Sequence, residues 1–281
     1  MQIDHVTIAG RSLDHLRHSL AACGLESVYG GPHANGVTHM AAVGFRDGSY
    51  IELISFLRDP GPSRFWPEMI RADAGACAWC VQVADIHAES ERLRSLGIAV
   101  EGPLPLERQR PDGQTVAWEL SFPGEGSPGA LLPFFIQDRT PRSLRIAPTP
   151  ALTTSPLHGI ALVLIAVRDL AAAAGLFRRA WDWSPPHVQY DAYLQGDVAC
   201  FAGAPVALVQ PAGGELARRV EQWGDLPAAF GLGSDDFAAS CQGLPIEAMS
   251  EWRDEAGTRR IAWVRTSTSP FTPLAIVSRQ G

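Results

Sequence analysis

The chain contains no lysine; all 23 of its basic side chains are arginine. That absence excludes Schiff-base chemistry and the lysine of phosphate-binding loops. Positive charge is also scarce beside 30 carboxylates, giving a net charge of -7 and a pI near 5.6. Such a balance argues against nucleic acid or an anionic membrane surface as a partner. Cysteine is sparse: five residues, an odd number scattered along the chain, do not make a disulfide framework. Cys77 and Cys80 in "CAWC" match a C-x-x-C pattern, but they lie in a run that reads as a strand. Residues three apart on a strand face opposite sides, and no second pair completes a zinc site, so both are read as core. Long apolar runs are missing as well. The longest, "IALVLIAV" at Ile160 to Val167, falls far short of the roughly 20 residues a bilayer span needs. The opening "MQIDHVTIAG" has no basic stretch followed by an apolar one, so no signal peptide is expected. The expectation is a soluble, cytoplasmic protein without nucleic-acid or membrane partners.

What the chain does have is apolar material, 46% of 281 residues, ample for one large domain or two smaller ones. It also repeats itself. "HVTIAGRSLDHLRHSLAACGL" opens as an alternating strand, passes Ser12, and continues with Leu13, Leu16 and Leu20 at helical spacing. Gly24 then reads as a stop. Stretches beginning at Ala78, Leu162 and Ala229 follow the same plan, with Asp or Ser placed to cap each helix. After each helix come turns and strands ending in a short apolar strand: "YIELISF", "LLPFFIQ", "PVALVQP" and "TPLAIVS". The turn sequences "RDGS", "RPDGQ" and "DEAGT" separate them. Each unit therefore reads β-α-β-β-β. The Pro/Thr-rich segment from Asp138 to Pro156 reads as a linker between the second and third units.

Paired β-α-β-β-β modules of this kind resemble the vicinal oxygen chelate superfamily, which includes glyoxalase I, bleomycin-resistance proteins and extradiol dioxygenases. Within it, "IDH", "GGPHANGVTH", "DGSYIEL" and "RQRPDGQTVAWEL" resemble the glyoxalase-like bacterial members. The resemblance spans essentially the whole chain. It implies an α+β fold in which four modules pair into two cupped-sheet domains, with metal ligands on the first and last strands of a module. The expected division is a first domain over residues 1–139, a linker over 140–155, and a degenerate second domain over 156–281.

The residue that breaks the apolar pattern is Glu52, in the middle of "SYIELISF". An isolated ionised carboxylate in an apolar strand costs several kcal/mol unless it is paired or binds metal. Aligning the units on their caps puts His5, Ala78, Leu162 and Ala229 at the first-strand ligand position. The last-strand position falls on Glu52, Phe134, Ala207 and Leu274. Only the first unit is polar at both. His5 and Glu52 are thus expected as ligands of a divalent ion (Zn, Mn, Ni or Fe), the alternative being a buried ion pair of Glu52 with His5 or an arginine. A third ligand is expected from His39. With the hairpin turning at "RDGS", His39 shares face parity with Val43, read as the residue opposite Glu52. His33, in a glycine-rich loop, is expected at the substrate together with Tyr50, Trp66 and Trp118. Arg110 is expected to lean over the cleft and fix a substrate carboxylate or carbonyl, making Glu52 and Arg110 the expected catalytic residues. His15, His18, His87, His158 and His187 carry no such signal.

The resemblance then implies a metal-dependent lyase or isomerase acting on a small oxygenated substrate through adjacent oxygens, with self-association into a homodimer left open. Two alternatives stand beside it. One is a metal-free, bleomycin-resistance-like binder using aromatic walls. The other is an extradiol-type dioxygenase, whose relatives of four modules carry their ligands in the second pair, apolar here.

Overall fold

In the computed structural model, residues 1–33, 35–59, 61, 65–110, 112–266 and 274–279 are described, and their strands form two eight-stranded sheets. The first sheet contains β1 (Gln2–Ala9), β2 (Val28–Pro32), β3 (Thr38–Gly44), β4 (Tyr50–Phe56), β5 (Gly75–Gln82), β6 (Val100–Gln109), β7 (Thr115–Pro123) and β8 (Phe134–Asp138). The second contains β9 (Leu157–Ala166), β10 (His187–Asp191), β11 (Gly196–Cys200), β12 (Val206–Pro211), β13 (Leu226–Ser234), β14 (Ile246–Asp254), β15 (Gly257–Val264) and β16 (Leu274–Ser278). Thr272 and Pro273 of the expected last strand, and Pro111 of the expected β6–β7 turn, lie outside the described residues.

The strand order of the first sheet, β2-β3-β4-β1-β5-β8-β7-β6, recurs strand for strand in the second as β10-β11-β12-β9-β13-β16-β15-β14. Each module supplies half a sheet, and the first strands of paired modules meet antiparallel at the centre, β1 against β5 and β9 against β13. This is the expected α+β arrangement of four β-α-β-β-β modules in two pairs.

The helices are α1 (Leu13–Ala21), α2 (Pro67–Arg71), α3 (Ile86–Ser95), α4 (Arg142–Arg145), α5 (Leu170–Trp181), α6 (Gly214–Trp223) and α7 (Phe237–Cys241). Ser12, Asp85, Asp169 and Asp236 stand in extended backbone ahead of α1, α3, α5 and α7. Each accepts a bond from the N–H three residues on, so the capping pattern read from the sequence is the one that starts these helices. No helix among the described residues is long and apolar enough to cross a membrane.

Strand alternation divides the side chains between two environments. Val6, Ile8, Leu53 and Trp79 of the first sheet join Val163, Ile165, Leu208 and Leu232 of the second in one continuous apolar core with the helices. The opposite face of the second sheet is filled by its own side chains, among them Leu164, Trp252 and Trp263, with Leu216 and Val220 of α6 packed into them. The corresponding face of the first sheet keeps a cavity of about 190 Å³. The two halves are joined at the β3–β4 turn, where Gly48 adopts φ +87°. There Asp47 N donates to His158 O at 3.1 Å, and Ile160 N donates to Ser49 Oγ at 2.9 Å.

Two local expectations change. A bulge in β5 between Ala76 and Ala78 puts Cys77 and Cys80 into the same apolar cluster instead of on opposite faces. Both thiols are fully buried, and burial pushes them up, which suits core residues. In the fourth module, Ala275 and not Leu274 occupies the Glu52-equivalent place. Glu52 pairs in register with Thr7, five residues before its helix cap, and Ala275 pairs with Gly231, five before Asp236.

Candidate functional site

The cavity lies between modules one and two, and strand register decides what enters it. β1 and β4 are parallel neighbours with Thr7 beside Glu52, so alternation sends His5, Thr7, Tyr50 and Glu52 to the cavity side. On β3, Ala42 is the residue opposite Glu52. Thr38 and Met40 share its parity and line the cavity.

His39 has the other parity. It packs edge-on to Tyr29, ring centroids 6.0 Å apart, and does not line the cavity. The expected third ligand is therefore misplaced by one residue of register. The β3–β4 loop spans Phe45 to Ser49 and sets Val43 opposite Ile51, and a one-residue slip reverses every side chain.

His33 takes the place expected of His39. Its Nε2 lies 3.3 Å from Glu52 Oε1, and its Nδ1 lies 2.8 Å from Thr38 Oγ1. It stands just beyond β2, which approaches β3 closely because Gly30 has no side chain. A Cβ there would fall 2.0 Å from Met40 Sδ. On the other side of Glu52, Thr7 Oγ1 donates to Oε2 at 3.1 Å, and His5 Nε2 lies 4.0 Å from the same oxygen. Glu52 is 8% exposed. Burial alone would raise its carboxyl; the His33 contact, the two imidazoles and the Thr7 hydroxyl hold it down to about 2.

Beneath His5 is a buried charge network that the sequence does not announce. His5 Nδ1 is 2.7 Å from Asp4 Oδ1. Asp4 also accepts two bonds from Arg145, at 2.8 and 2.9 Å, and a further one from Arg142. These partners keep the Asp4 carboxyl ionised against the cost of its burial and far below the usual carboxylate range. Arg145, at 9% exposure, sits in α4, inside the segment expected as a linker, and also grips Asp138 at 2.6 and 2.9 Å. Asp4, His5 and Cys80 lie close enough to suggest a metal cluster. However, an Asp4 carboxylate engaged by two arginines has no lone pair left to share with an ion, and its role is to orient His5.

That orientation has a chemical consequence. Ionised Asp4 can only accept, so His5 Nδ1 carries the hydrogen, and the neutral ring then presents a lone pair at Nε2. This lone pair faces an anionic oxygen of Glu52 across 4.0 Å. Two acceptors so placed call for a cation between them, either a proton or a metal ion. The contacts of 3.3 and 4.0 Å about Glu52 are within about twice a metal–ligand bond of 2.0–2.2 Å. Two imidazoles and a carboxylate are a suitable donor set for a divalent ion.

The remaining walls are mostly apolar. Trp66, Trp118 and Phe134 line the cavity, as does Tyr50, whose ring stacks on His5 at 4.6 Å. Trp66 is held by Nε1 donating to Pro128 O at 3.0 Å. The Tyr50 hydroxyl accepts from Arg145 at 3.0 Å, and burial pushes its pKa up, so it keeps its proton for donation. Of the expected site residues, His5, His33, Tyr50, Glu52, Trp66 and Trp118 come together here. Arg110 does not line the cavity. It is bound to Asp112 at 3.1 Å and to Leu144 O at 2.6 Å, while Arg108, two residues earlier on β6, reaches the cavity instead.

Comparison with known proteins places this geometry. A family model described as a glyoxalase-like domain matches residues 3–181. A search of curated proteins returns no match. Among solved structures, a hypothetical protein from Staphylococcus aureus is similar at TM-score 0.64 and 15% identity, covering 98% of this chain and 99% of that one. A mutant of 4-hydroxymandelate synthase from Streptomyces coelicolor is similar at TM-score 0.63 and 13% identity, covering 100% and 93%. A Mn(II)-bound glyoxalase from Novosphingobium aromaticivorans is similar at TM-score 0.57 and 12% identity, covering 100% and 82%. At these identities the likeness is one of fold.

Proposed function

The chain belongs to the glyoxalase-like family of the vicinal oxygen chelate superfamily, and from that premise we propose that the first cup is the active site of a divalent-metal enzyme. Its substrate would be a small oxygenated molecule bound through adjacent oxygens, and its reaction of the lyase or isomerase type. The observation that carries this reading is the buried Glu52 carboxylate facing the Nε2 atoms of His5 and His33 with no arginine bonded to it among the described residues. These three residues would hold the ion, and the Mn(II)-bound glyoxalase of the same fold supports the choice of a divalent metal. Such an ion supplies Lewis acidity toward a pair of substrate oxygens.

The protein's own groups prepare that chemistry. Asp4 fixes the ring orientation and tautomer of His5, and Thr7 fixes one oxygen of Glu52. Tyr50 can donate its hydroxyl hydrogen to a substrate oxygen, while Trp66, Trp118 and Phe134 exclude water and strengthen each polar contact inside. Residues 1–139 would form the working half and residues 156–281 a supporting half. The test is elemental analysis of protein purified without chelator. One equivalent of metal per chain, lost in Glu52→Gln, is the expected result.

A second reading follows from the same donors. Two histidines and one carboxylate form the ligand set of non-haem iron oxygenases, and 4-hydroxymandelate synthase shares the fold. Oxygen uptake that depends on Fe²⁺ would favour it. A metal-free cup that still binds aromatic molecules would favour the binding-protein reading instead.

A further inference from the structure

Among the described residues two arginines, Arg108 and Arg145, reach the cavity, and they use their donors differently. Arg145 engages all five of its N–H groups, with Asp4, Asp138 and Tyr50 as acceptors. Its charge, and that of Arg142, are balanced by the same two carboxylates. Arg108 makes two bonds, both to carbonyl oxygens: Nη1 to Gly30 O at 2.6 Å and Nη2 to Arg145 O at 3.4 Å. Its other three N–H groups have no partner among the described residues, and neither bond brings it a counter-charge. Just past the end of β6, Arg110 is neutralised by Asp112.

The second cup shows what a purely structural bridge looks like at this position. There the two edge strands are tied by Gln189 on β10, which donates to Glu251 O at 2.6 Å and accepts from Arg253 N at 2.9 Å on β14. A neutral amide closes that cup. In the first cup the tie from β6 to β2 is a half-buried guanidinium, although carbonyls at this spacing need no charge on the donor.

We propose that Arg108 is the anion-recognising residue of the cavity, and that the natural ligand carries a carboxylate on a body about the size of one ring. The guanidinium fork matches a carboxylate in two parallel bonds, and charge-assisted bonds are about twice as strong as the neutral ones Arg108 now makes. Burial lowers the Arg108 pKa, but a guanidinium remains charged at neutral pH. The size follows from the volume of about 190 Å³, since a cavity of about 150 Å³ takes up benzene. That leaves room inside for a ring and short substituents. Leu106 and Trp118, paired across β6 and β7, flank Arg108 and suit the apolar body. This inference deepens the active-site reading and rests on it for the cavity's role, not for the metal.

The test uses phenylacetate and phenylacetamide, which share a shape and differ in charge, titrated by the fluorescence of Trp66 and Trp118. Each titration is run on the full chain in chelator and again with Mn²⁺. Wild type should bind the carboxylate about tenfold tighter than the amide, or more, in both conditions. Arg108→Gln should abolish that preference with the amide's affinity held within about twofold, and Arg108→Lys should keep part of it. Equal affinity of wild type for the two probes, or no saturable binding of either, overturns the proposal without reference to any variant. So does an equal loss of both probes in folded Arg108→Gln, which would make Arg108 a strap for β2. A preference that needs Mn²⁺ and ignores Arg108 also overturns it, while leaving the metal reading intact. A preference that persists in a protein unable to bind metal supports Arg108 and removes the metal reading.

Discussion

Replacing Glu52 by glutamine keeps the side chain's size and removes its charge, so it separates a metal ligand from a structural anion. The fold lowers this carboxyl from 4.5 to about 2, which at 1.36 kcal/mol per pH unit favours the ionised form by about 3 kcal/mol. A carboxyl depressed in the fold contributes stability that is complete above its unfolded value and is lost as pH falls through its folded value. Glu52→Gln should therefore destabilise the metal-free protein by at most about 3 kcal/mol, the full amount only while His5 and His33 carry charge, and by progressively less between pH 4.5 and about 2. From the sequence alone the outcome divides: a metal ligand would leave the apo protein equally stable or more so, and a structural ion pair would cost about 3–5 kcal/mol. Metal adds a second, separable effect. At a hundred times its dissociation constant a divalent ion contributes about 2.7 kcal/mol, roughly 5 °C in melting temperature for a chain of this size. If the substitution weakens metal binding about a hundredfold, the gain falls to about 0.4 kcal/mol. Melting curves of both proteins in chelator and in Mn²⁺ read the two effects independently. An equal rise with Mn²⁺ in both would refute Glu52 as a ligand. A wild type indifferent to Mn²⁺, Zn²⁺, Ni²⁺ and Fe²⁺ would refute the metal site altogether.

His33→Ala should weaken Mn²⁺ binding at least tenfold by calorimetry, whereas His39→Ala, on the opposite face of its strand, should leave it within about twofold. The reverse result would mean that the register argument fails. Asp4→Asn should cost about 3–5 kcal/mol in urea denaturation, because it strands buried Arg145, and should lower metal affinity about 10- to 100-fold by freeing His5 to rotate. Trp252→Ala should cost about 3–5 kcal/mol, since it empties the second cup and leaves Asp191 without its indole donor, yet metal and probe binding should not change. A loss of binding there would mean that the second cup takes part in the site.

Much of the fold was legible because its signals are local. Ser12, Asp85, Asp169 and Asp236 stand where they cap, and the four-fold rhythm of strand, cap and helix predicts the four modules without any knowledge of long-range contacts. Glu52 was legible for a similar reason: a carboxylate in an apolar strand demands a partner wherever the strand ends up. His39 was misjudged because its role hangs on the length of one turn, and one residue of register exchanges it for its neighbours. Arg145 and Asp4 could not be paired from sequence, lying 141 residues apart, with the arginine inside a Pro/Thr-rich stretch that reads as linker. Arg108 and Arg110 stand two residues apart across the end of β6, and the counter-ion Asp112 marks the occupied guanidinium while Arg108 bonds only to carbonyls.

The duplication gives the molecule an internal control for what its fold requires. The position filled by Thr7 beside Glu52 on β1 and β4 is filled by Leu164 beside Ala207 on β9 and β12, in the same parallel register. The second sheet repeats the first strand for strand with apolar residues at both positions. The architecture therefore does not need a buried carboxylate there, nor a histidine aimed at it. Burying a carboxylate costs several kcal/mol before its partners offset it, and apolar packing at such a site is often as stable or more so. A feature that the fold can do without is what the proposed metal site would require. The same comparison explains why the cavity exists. In the second half the ten-residue α6 drives Leu216 and Val220 into the cup beside Trp252 and Trp263, whereas its counterpart α2 has five residues, which leave the space open in front of His5, His33 and Glu52.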